Sequence, residues 1–303
     1  MSLNSSDRGA ISPRLALLIA IGALSWAGPL IRLSSAPPLA IASWRMIFSV
    51  AILGIFLGAR RPEGLERLKG REWLLITLGG TLLAGHFWSW ITAFQYTTVA
   101  NATVLVAMQP IFAATFSALL LAEFATRRQW LGIGVAVAGA ITIGWGSISG
   151  TGLRPEGPGS LTGDLLALNG ACLAAGYFVI GRRLRRTIDL RLYITLVYGV
   201  AALWLTLITI LSPGVELLGH ARADWVIFLG LAIGPMLIGH TGINYALRYL
   251  PAYLANLAVL GESVGATLIA WLLPAIAETP GPAIFLGGAL IGCGLLLGAP
   301  DRS

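Results

Sequence analysis

Residues 73–96 read WLLITLGGTLLAGHFWSWITAFQY, a stretch of 24 residues without Asp, Glu, Lys or Arg. A helix that crosses a bilayer needs about 20 consecutive, predominantly apolar residues. A surface helix of a soluble domain would instead carry charged residues along one face. The stretch therefore predicts a transmembrane helix, with His86 near its middle.

The rest of the chain has the same apolar character. Of its 303 residues, 56% are hydrophobic and 11% are charged, whereas soluble domains carry about a quarter charged residues. So few charged groups cannot cover a water-exposed surface, and lipid is the expected solvent. The sequence predicts an all-α membrane protein with ten transmembrane helices, at residues 15–33, 39–58, 73–96, 99–121, 129–147, 161–181, 190–211, 224–248, 252–274 and 282–299.

The basic residues are divided unequally between the two sides of this topology. Of the 20 Lys and Arg residues, 16 lie on the side of the termini, three lie on the other side, and Arg45 lies within a span. Loops rich in Lys and Arg stay in the cytoplasm. We therefore expect a protein of the cell (inner) membrane with cytoplasmic tails at residues 1–14 and 300–303. These charges form loop clusters rather than a helix face, so nucleic acid is not an expected partner.

The two halves of the chain look alike. Glu72-Trp73 precedes the third span as Asp224-Trp225 precedes the eighth. Because each half has an odd number of spans, the second copy must be inverted across the bilayer. Inverted repeats are typical of transporters, which bind their substrates near the midplane between the repeats. The predicted domains are a first five-helix repeat at 15–147, an external linker at 148–160 and a second five-helix repeat at 161–299.

Several motifs identify a family resemblance. Arg45 lies early in the second span, Pro110 lies at mid-depth in the fourth, and the fourth span ends in Leu120-Leu121-Ala122-Glu123. With these motifs the chain resembles the drug/metabolite transporter superfamily, in its ten-helix branch of paired EamA-type repeats. In length, span pattern and aromatic content it is similar to the exporters of aromatic amino acids. The second half departs from the pattern, because Glu262 stands where Pro110 stands in the first half.

Polar and aromatic side chains at membrane depth predict a central substrate cavity, because such groups are costly in lipid and face a cavity or a partner helix. His86 and Trp90 lie one helical turn apart in the third span, and His240 and Asn244 do so in the eighth. Packing between helices is the alternative interpretation for each of them. The other candidate substrate-binding residues are Trp26, Asn101, Gln109 and Tyr177.

Two charged residues within the spans call for separate interpretations. Glu262 is the one carboxylate near the centre of a predicted span, so we expect it to be protonated or paired. It is a candidate for proton coupling, with a structural hydrogen bond as the alternative. Asn256 lies about a third of a turn away around the helix, so both need not line one cavity. Arg45 can snorkel outward or attract a carboxylate, but the resemblance places an Arg here generally, and we assign it a structural role.

Small residues predict where two helices pack closely. Gly132, Ala136, Ala140 and Gly144 form a ridge along the fifth span, and Gly288 and Gly292 form one along the tenth. Such ridges allow backbones to approach in membranes. They predict either pairing of the fifth and tenth spans or a contact between two copies of the chain.

The sequence offers no catalytic or metal-binding constellation. Its three histidines are not at ligand spacing, and Cys172 and Cys293 form no CxxC pair, so no metal or cofactor is expected. An intramembrane enzyme would need a nucleophile with its base, and a channel would need a filter or charged ring. The expected function is export of small amphiphilic metabolites, such as aromatic and other amino acids, by an alternating-access carrier. We expect a monomer whose partners are the solute and the lipid bilayer. A multidrug or other metabolite exporter is the alternative.

Overall fold

The computed structural model describes residues 11–57, 64–96, 102, 105–151, 158–276 and 282–299, with side chains except at 144–151 and 158–160. Within these ranges every regular element is helical. The α-helices are α1 (Pro13–Leu24), α2 (Ala27–Leu33), α3 (Pro38–Leu57), α4 (Gly70–Ala93), α5 (Gln109–Leu121), α6 (Arg127–Thr151), α7 (Pro158–Leu184), α8 (Leu190–Leu211), α9 (Arg222–Leu231), α10 (Thr241–Ala246), α11 (Ala252–Val259), α12 (Gly261–Leu272) and α13 (Pro282–Gly298). A short 3-10 helix covers Leu65–Arg67, and a π-helix, Ala232–His240, joins α9 to α10.

Seven stretches of the described chain are long and apolar enough to cross a membrane. They are Pro13–Leu33, Pro38–Phe56, Gly70–Ala93, Leu161–Leu184, Leu190–Leu211, Arg222–Ala246 and Ala252–Leu272. Each coincides with a span expected from the sequence. The helices α5 and α13 are apolar but shorter, and α6 is not among the seven. The chain is thus a multi-pass helical protein, and the count of ten spans stays a prediction.

Several spans are interrupted at mid-depth. The first span breaks at Ser25–Trp26, between α1 and α2. The eighth changes to π-helix around Pro235, whose ring nitrogen cannot donate to the helix ladder. The fourth span turns just before α5, and the ninth breaks at Leu260 between α11 and α12. The backbone stays hydrogen-bonded at Ser25, Trp26 and Leu260, with bonds to the third preceding residue at Trp26 and Leu260.

The packing of the helices repeats between the halves. The third-span helix α4 packs along α7 and α8. In the same way, the eighth span packs along α1 and α3. Helix α5 also packs on α11, and α6 packs on α13. In span numbers, the third span packs on the sixth and seventh, and the eighth span packs on the first and second. Each span of the second set is the counterpart, five spans away, of one in the first set.

The contact between α6 and α13 depends on glycine. A Cβ added at Gly139 would lie 2.5 Å from the Gly287 carbonyl oxygen, and one added at Gly132 would lie 2.6 Å from the Gly298 nitrogen. Only residues without a Cβ allow this approach. The prediction that the fifth and tenth spans pair is therefore confirmed. The prediction of Gly288 and Gly292 as the ridge was wrong, since the helix turns Gly287 and Gly294 toward α6 and leaves Gly292 with open space.

Candidate functional site

A cavity lies between the two halves of the chain. It contains about 1190 Å³ of empty space, including its opening. Cavities of this kind are the usual sites for small ligands in helical membrane proteins. Its walls combine aromatic rings with polar groups: Arg45, His86, Phe87, Trp90 and Gln109 in the first half, and Phe178, His240, Asn256, Glu262 and Ser263 in the second.

The cavity opens toward one end of the molecule. Its lining extends to Arg32 at the end of α2, to Phe94 after α4 and to Ile276 after α12. All three lie at the end that carries few Arg and Lys residues, which we call the arginine-poor end. No hydrogen bond between described residues joins α4 or α5 to α12 across this opening. The described lining of the cavity thus reaches the surface at the arginine-poor end, where Arg32 is exposed.

The opposite, arginine-rich end is closed by ionic and polar contacts. Arg182 Nη2 donates to Glu123 Oε1 at 2.8 Å, and Arg182 Nη1 donates to the Leu247 and Arg248 carbonyl oxygens at 2.8 and 2.9 Å. Arg186 also pairs with Glu123. The Glu123 cluster, meaning Glu123, Arg182 and Arg186, thus ties the ends of α5, α7 and α10 together.

The two predicted histidines meet in the cavity wall. The rings of His86 and His240 lie 6.4 Å apart, centroid to centroid. His86 Nδ1 donates to the Gly170 carbonyl oxygen at 2.9 Å, which leaves Nε2 of a neutral ring as an acceptor. The His86 ring lies parallel to Trp90 at 6.0 Å. His240 Nδ1 has no hydrogen-bond partner among the described residues.

Two charged side chains face the same cavity. Arg45 is 1% exposed, and its Cζ lies 4.2 Å from the centre of the Phe87 ring. Its Nε and Nη1 atoms have no hydrogen-bond partner among the described residues. Glu262 also lines the cavity, but no carboxylate in the described part of the chain lies within 4.0 Å of Arg45. The structural role predicted for Arg45 stays a prediction.

Other predicted site residues lie outside the cavity wall. Trp26 is 43% exposed and does not line the cavity. The expectation assumed one continuous helix, whereas the break at Ser25–Trp26 turns this side chain away. Tyr177 and Asn244 are fully buried and hydrogen-bonded to each other behind His240. Asn244 also donates to the His240 carbonyl oxygen at 2.8 Å, so the pair supports the wall. Asn101 lies outside the described residues.

Sequence reasoning missed several wall residues. Phe87 and Phe178 looked like ordinary apolar positions, and no periodic signal separates a cavity wall from a packed core. Asn256 and Glu262 both reach the cavity although one continuous helix would turn them apart. An irregular turn at Leu260, which hydrogen-bonds to the Leu257 carbonyl oxygen, lies between them, and the sequence from Ala252 to Leu272 contains no proline to signal it.

Comparisons with known proteins agree with this architecture. The EamA-like transporter family matches residues 14–145 and 161–298. An uncharacterized transporter of Archaeoglobus fulgidus is 29% identical over 175 residues, which cover 55% of this chain and 57% of the relative. The match therefore spans little more than half of that protein's length. The uncharacterized transporter YwfM of Bacillus subtilis is 26% identical over 87% of this chain and 84% of its own.

A solved crystal structure has the same fold. It superimposes with a TM-score of 0.73 over 94% of this chain and 95% of its own, at 22% sequence identity. Sequence identity this low supports a shared arrangement of helices and nothing about the solute. The two family matches fall on either side of residues 146–160.

Proposed function

The chain belongs to the EamA-like transporter family, and we propose that this membrane transporter of the drug/metabolite type exports small amphiphilic solutes, most favourably aromatic amino acids. The observation that carries the proposal is the cavity between the halves, with aromatic walls and unpaired polar atoms. Transport by alternating access requires such a site to be reached from each side in turn. A cavity closed at one end and open at the other is one of the two required states.

Two inverted five-helix repeats would provide the two states. The contacts of α4 with α7 and α8 have counterparts in those of the eighth span with α1 and α3, which supports a twofold relation between the halves. Within this proposal there are ten spans, with the arginine-rich end in the cytoplasm of the cell, as basic loops favour. The described conformation is then open to the outside, in position to release an exported solute.

The walls favour a solute with a ring and a small polar head. Phe87, Trp90 and Phe178 line the cavity, and an aromatic pair adds about 0.5–1.5 kcal/mol beyond the burial of its area. Gln109 Nε2 and Asn256 Oδ1 are buried beside these rings without a hydrogen-bond partner among the described residues. Buried polar groups are normally hydrogen-bonded, so a solute that supplies a donor and an acceptor suits this cavity. Phenylalanine, tyrosine and tryptophan have both features.

The test is competition for counterflow in proteoliposomes loaded with phenylalanine. We expect excess phenylalanine to block uptake of labelled phenylalanine. Trp90→Ala should weaken this block about 2- to 10-fold more than the block by threonine, because only the ring stacks on Trp90. Trp88→Ala is the matched control, since Trp88 is partly exposed on the same helix and does not line the cavity.

Three outcomes would contradict parts of this proposal. Equal weakening for phenylalanine and threonine would remove the stacking argument. Absence of block by any amino acid would remove the substrate class. Block by amphiphilic drugs alone would favour a multidrug exporter, a function that the largely apolar walls also allow.

Glu262 is the proposed coupling residue. It is the one carboxylate on the described cavity wall, and a carboxyl group in such surroundings can exchange a proton when the open side changes. Glu262→Gln should abolish transport driven by a pH gradient and leave counterflow, with Glu216→Gln in an exposed loop as the control. A variant that only lowers protein yield would indicate a structural residue instead.

A further inference from the structure

Arg45 is a buried cation that forms no ion pair with a carboxylate in the described part of the chain. It lies in the second turn of α3, about 10 Å along the helix from Pro38. Its side chain is 1% exposed, so the guanidinium does not reach the aqueous surface at the arginine-poor end. Instead it lines the cavity between the halves.

The surroundings of Arg45 leave donors unused. The Phe87 ring covers one face of the guanidinium, at 4.2 Å from Cζ. The N–H groups on Nε and Nη1 have no acceptor among the described residues. Glu262 lines the same cavity and acts on Arg45 electrostatically, but the two side chains form no ion pair. A buried charge that lacks a hydrogen-bonded partner is expensive, and ionisable residues at membrane depth usually mark a ligand path.

We propose that Arg45 binds the carboxylate of the transported solute. This inference deepens the proposed function and rests on it for the identity of the cavity as the transport site. The planar guanidinium presents N–H donors in the arrangement that suits a carboxylate, and such charge-assisted bonds are stronger than neutral ones. Phe87 fixes the plane of the group. The ring of the solute then lies among Phe87, Trp90 and Phe178.

Removing the charge of Glu262 is expected to change carboxylate binding in the opposite direction from removing the charge of Arg45. Glu262 is the one carboxylate on the described cavity wall, and like charges repel. A solute carboxylate bound to Arg45 therefore experiences repulsion from an ionised Glu262. Removing that charge should strengthen carboxylate binding, whereas removing the charge of Arg45 should weaken it.

The experiment uses the purified full-length chain in detergent and three related probes. They are 3-phenylpropionate, which has a carboxylate and no ammonium, phenethylamine, which has an ammonium and no carboxylate, and phenylalanine. Binding is measured as ligand-dependent thermal stabilisation over a concentration series. This readout needs no transport.

We expect the wild-type protein to bind 3-phenylpropionate. Arg45→Gln should weaken this binding about 10- to 100-fold, the loss typical of a hydrogen bond to a charged group. The same variant should bind phenethylamine as tightly or more tightly, because its ammonium no longer meets a like charge. Arg45→Lys, which keeps the charge and loses the planar donors, should weaken it several-fold. Glu262→Gln should bind 3-phenylpropionate as tightly or more tightly. Arg67→Gln removes an equal charge from an exposed position and is the matched control.

Other results would overturn the proposal. They are failure of wild-type protein to bind 3-phenylpropionate, an unchanged affinity in Arg45→Gln or Arg45→Lys, or a weaker affinity in Glu262→Gln. If Arg45→Gln fails to fold, Arg45→Lys and Glu262→Gln still test whether Arg45 binds the carboxylate. Both variants keep a polar side chain of similar size. The proposed function is judged separately. A protein that binds 3-phenylpropionate through Arg45 but shows no amino acid counterflow would contradict the proposed function and leave the carboxylate site standing.

Discussion

The two ends of the molecule are held together in different ways. At the arginine-rich end, Glu123, Arg182 and Arg186 join helices from both halves by two ion pairs, of which the one with Arg182 is mostly buried and the one with Arg186 is half-exposed. At the arginine-poor end, the Asp224 carboxylate accepts hydrogen bonds from Ser34 and Ser35. These bonds join α9 to the loop after α2, on one side of the cavity only. The difference teaches that closure depends on which helices a polar contact joins, and not on how many such contacts exist.

The largest effect is expected from breaking the Glu123 cluster. Glu123 and Arg182 are 16% and 12% exposed, so Glu123→Gln should destabilise the closed end by about 2–3 kcal/mol, less than for a fully buried pair. The arginine-rich end should then open about 30- to 150-fold more often. The measurement is maleimide labelling of Ala246→Cys, a buried position beside the cluster, in a background with Cys172 and Cys293 changed to Ser.

The control for this prediction is Glu66→Gln, which removes an exposed carboxylate whose ion-pair partner among the described residues is its neighbour Arg67. It should leave the labelling rate unchanged. Arg182→Gln should resemble Glu123→Gln, and the double variant should add little to either. A labelling rate in Glu123→Gln equal to that of the wild type would show that the cluster does not hold this end closed.

A smaller effect is expected from the helix pair that runs between the two ends. In Gly139→Ala the added Cβ would meet the Gly287 carbonyl oxygen at 2.5 Å, and overpacking of this kind costs about 1–2 kcal/mol. The midpoint of thermal unfolding should fall, while labelling of Ala246→Cys should not change. Gly134→Ala, where nothing lies within 4 Å, is the control and should unfold no earlier than the wild type. A faster labelling rate in Gly139→Ala would mean that α6 and α13 take part in opening.

Next in size is the change at the arginine-poor end. Asp224 accepts bonds of 2.6, 2.9 and 2.8 Å from the Ser34 hydroxyl, the Ser35 amide and the Ser35 hydroxyl. Asp224→Asn loses the charge behind these bonds and should lower the free energy of unfolding by about 1 kcal/mol. Labelling of Ala246→Cys should stay at the wild-type rate, because these bonds do not cross the cavity. Opening of the arginine-rich end in this variant would contradict the contrast between the two ends.

The smallest energetic effect accompanies the test of membrane orientation. Glu66 and Glu216 are exposed in loops at the arginine-rich and arginine-poor ends, so a cysteine at either should change stability by less than about 0.5 kcal/mol. An impermeant maleimide added to sealed cells should label Glu216→Cys and spare Glu66→Cys. Labelling of both from outside would contradict the predicted topology and the cytoplasmic position of the Glu123 cluster.

Part of the site was accessible from the sequence. His86, Trp90, Gln109, His240 and Glu262 all reach the cavity, because a polar group or tryptophan within an apolar span is a strong local signal. Trp26, Tyr177 and Asn244 carried the same signal and lie elsewhere. The signal identifies side chains that need a partner, but a neighbouring helix and a cavity both satisfy that need.

The sequence by itself determined that this chain is a multi-pass helical membrane protein, since long apolar stretches leave the backbone no other way to satisfy its hydrogen bonds in lipid. It also indicated which loops share a side, through the distribution of arginine. Only the tertiary structure decided toward which end the cavity extends, and which described residues line it. Those features depend on the break at Ser25–Trp26, the π-helix at Ala232–His240 and the break at Leu260. A change in the hydrogen-bond pattern of a helix alters which side chains share a face, and it depends on packing between distant helices as well as on the local order of residues.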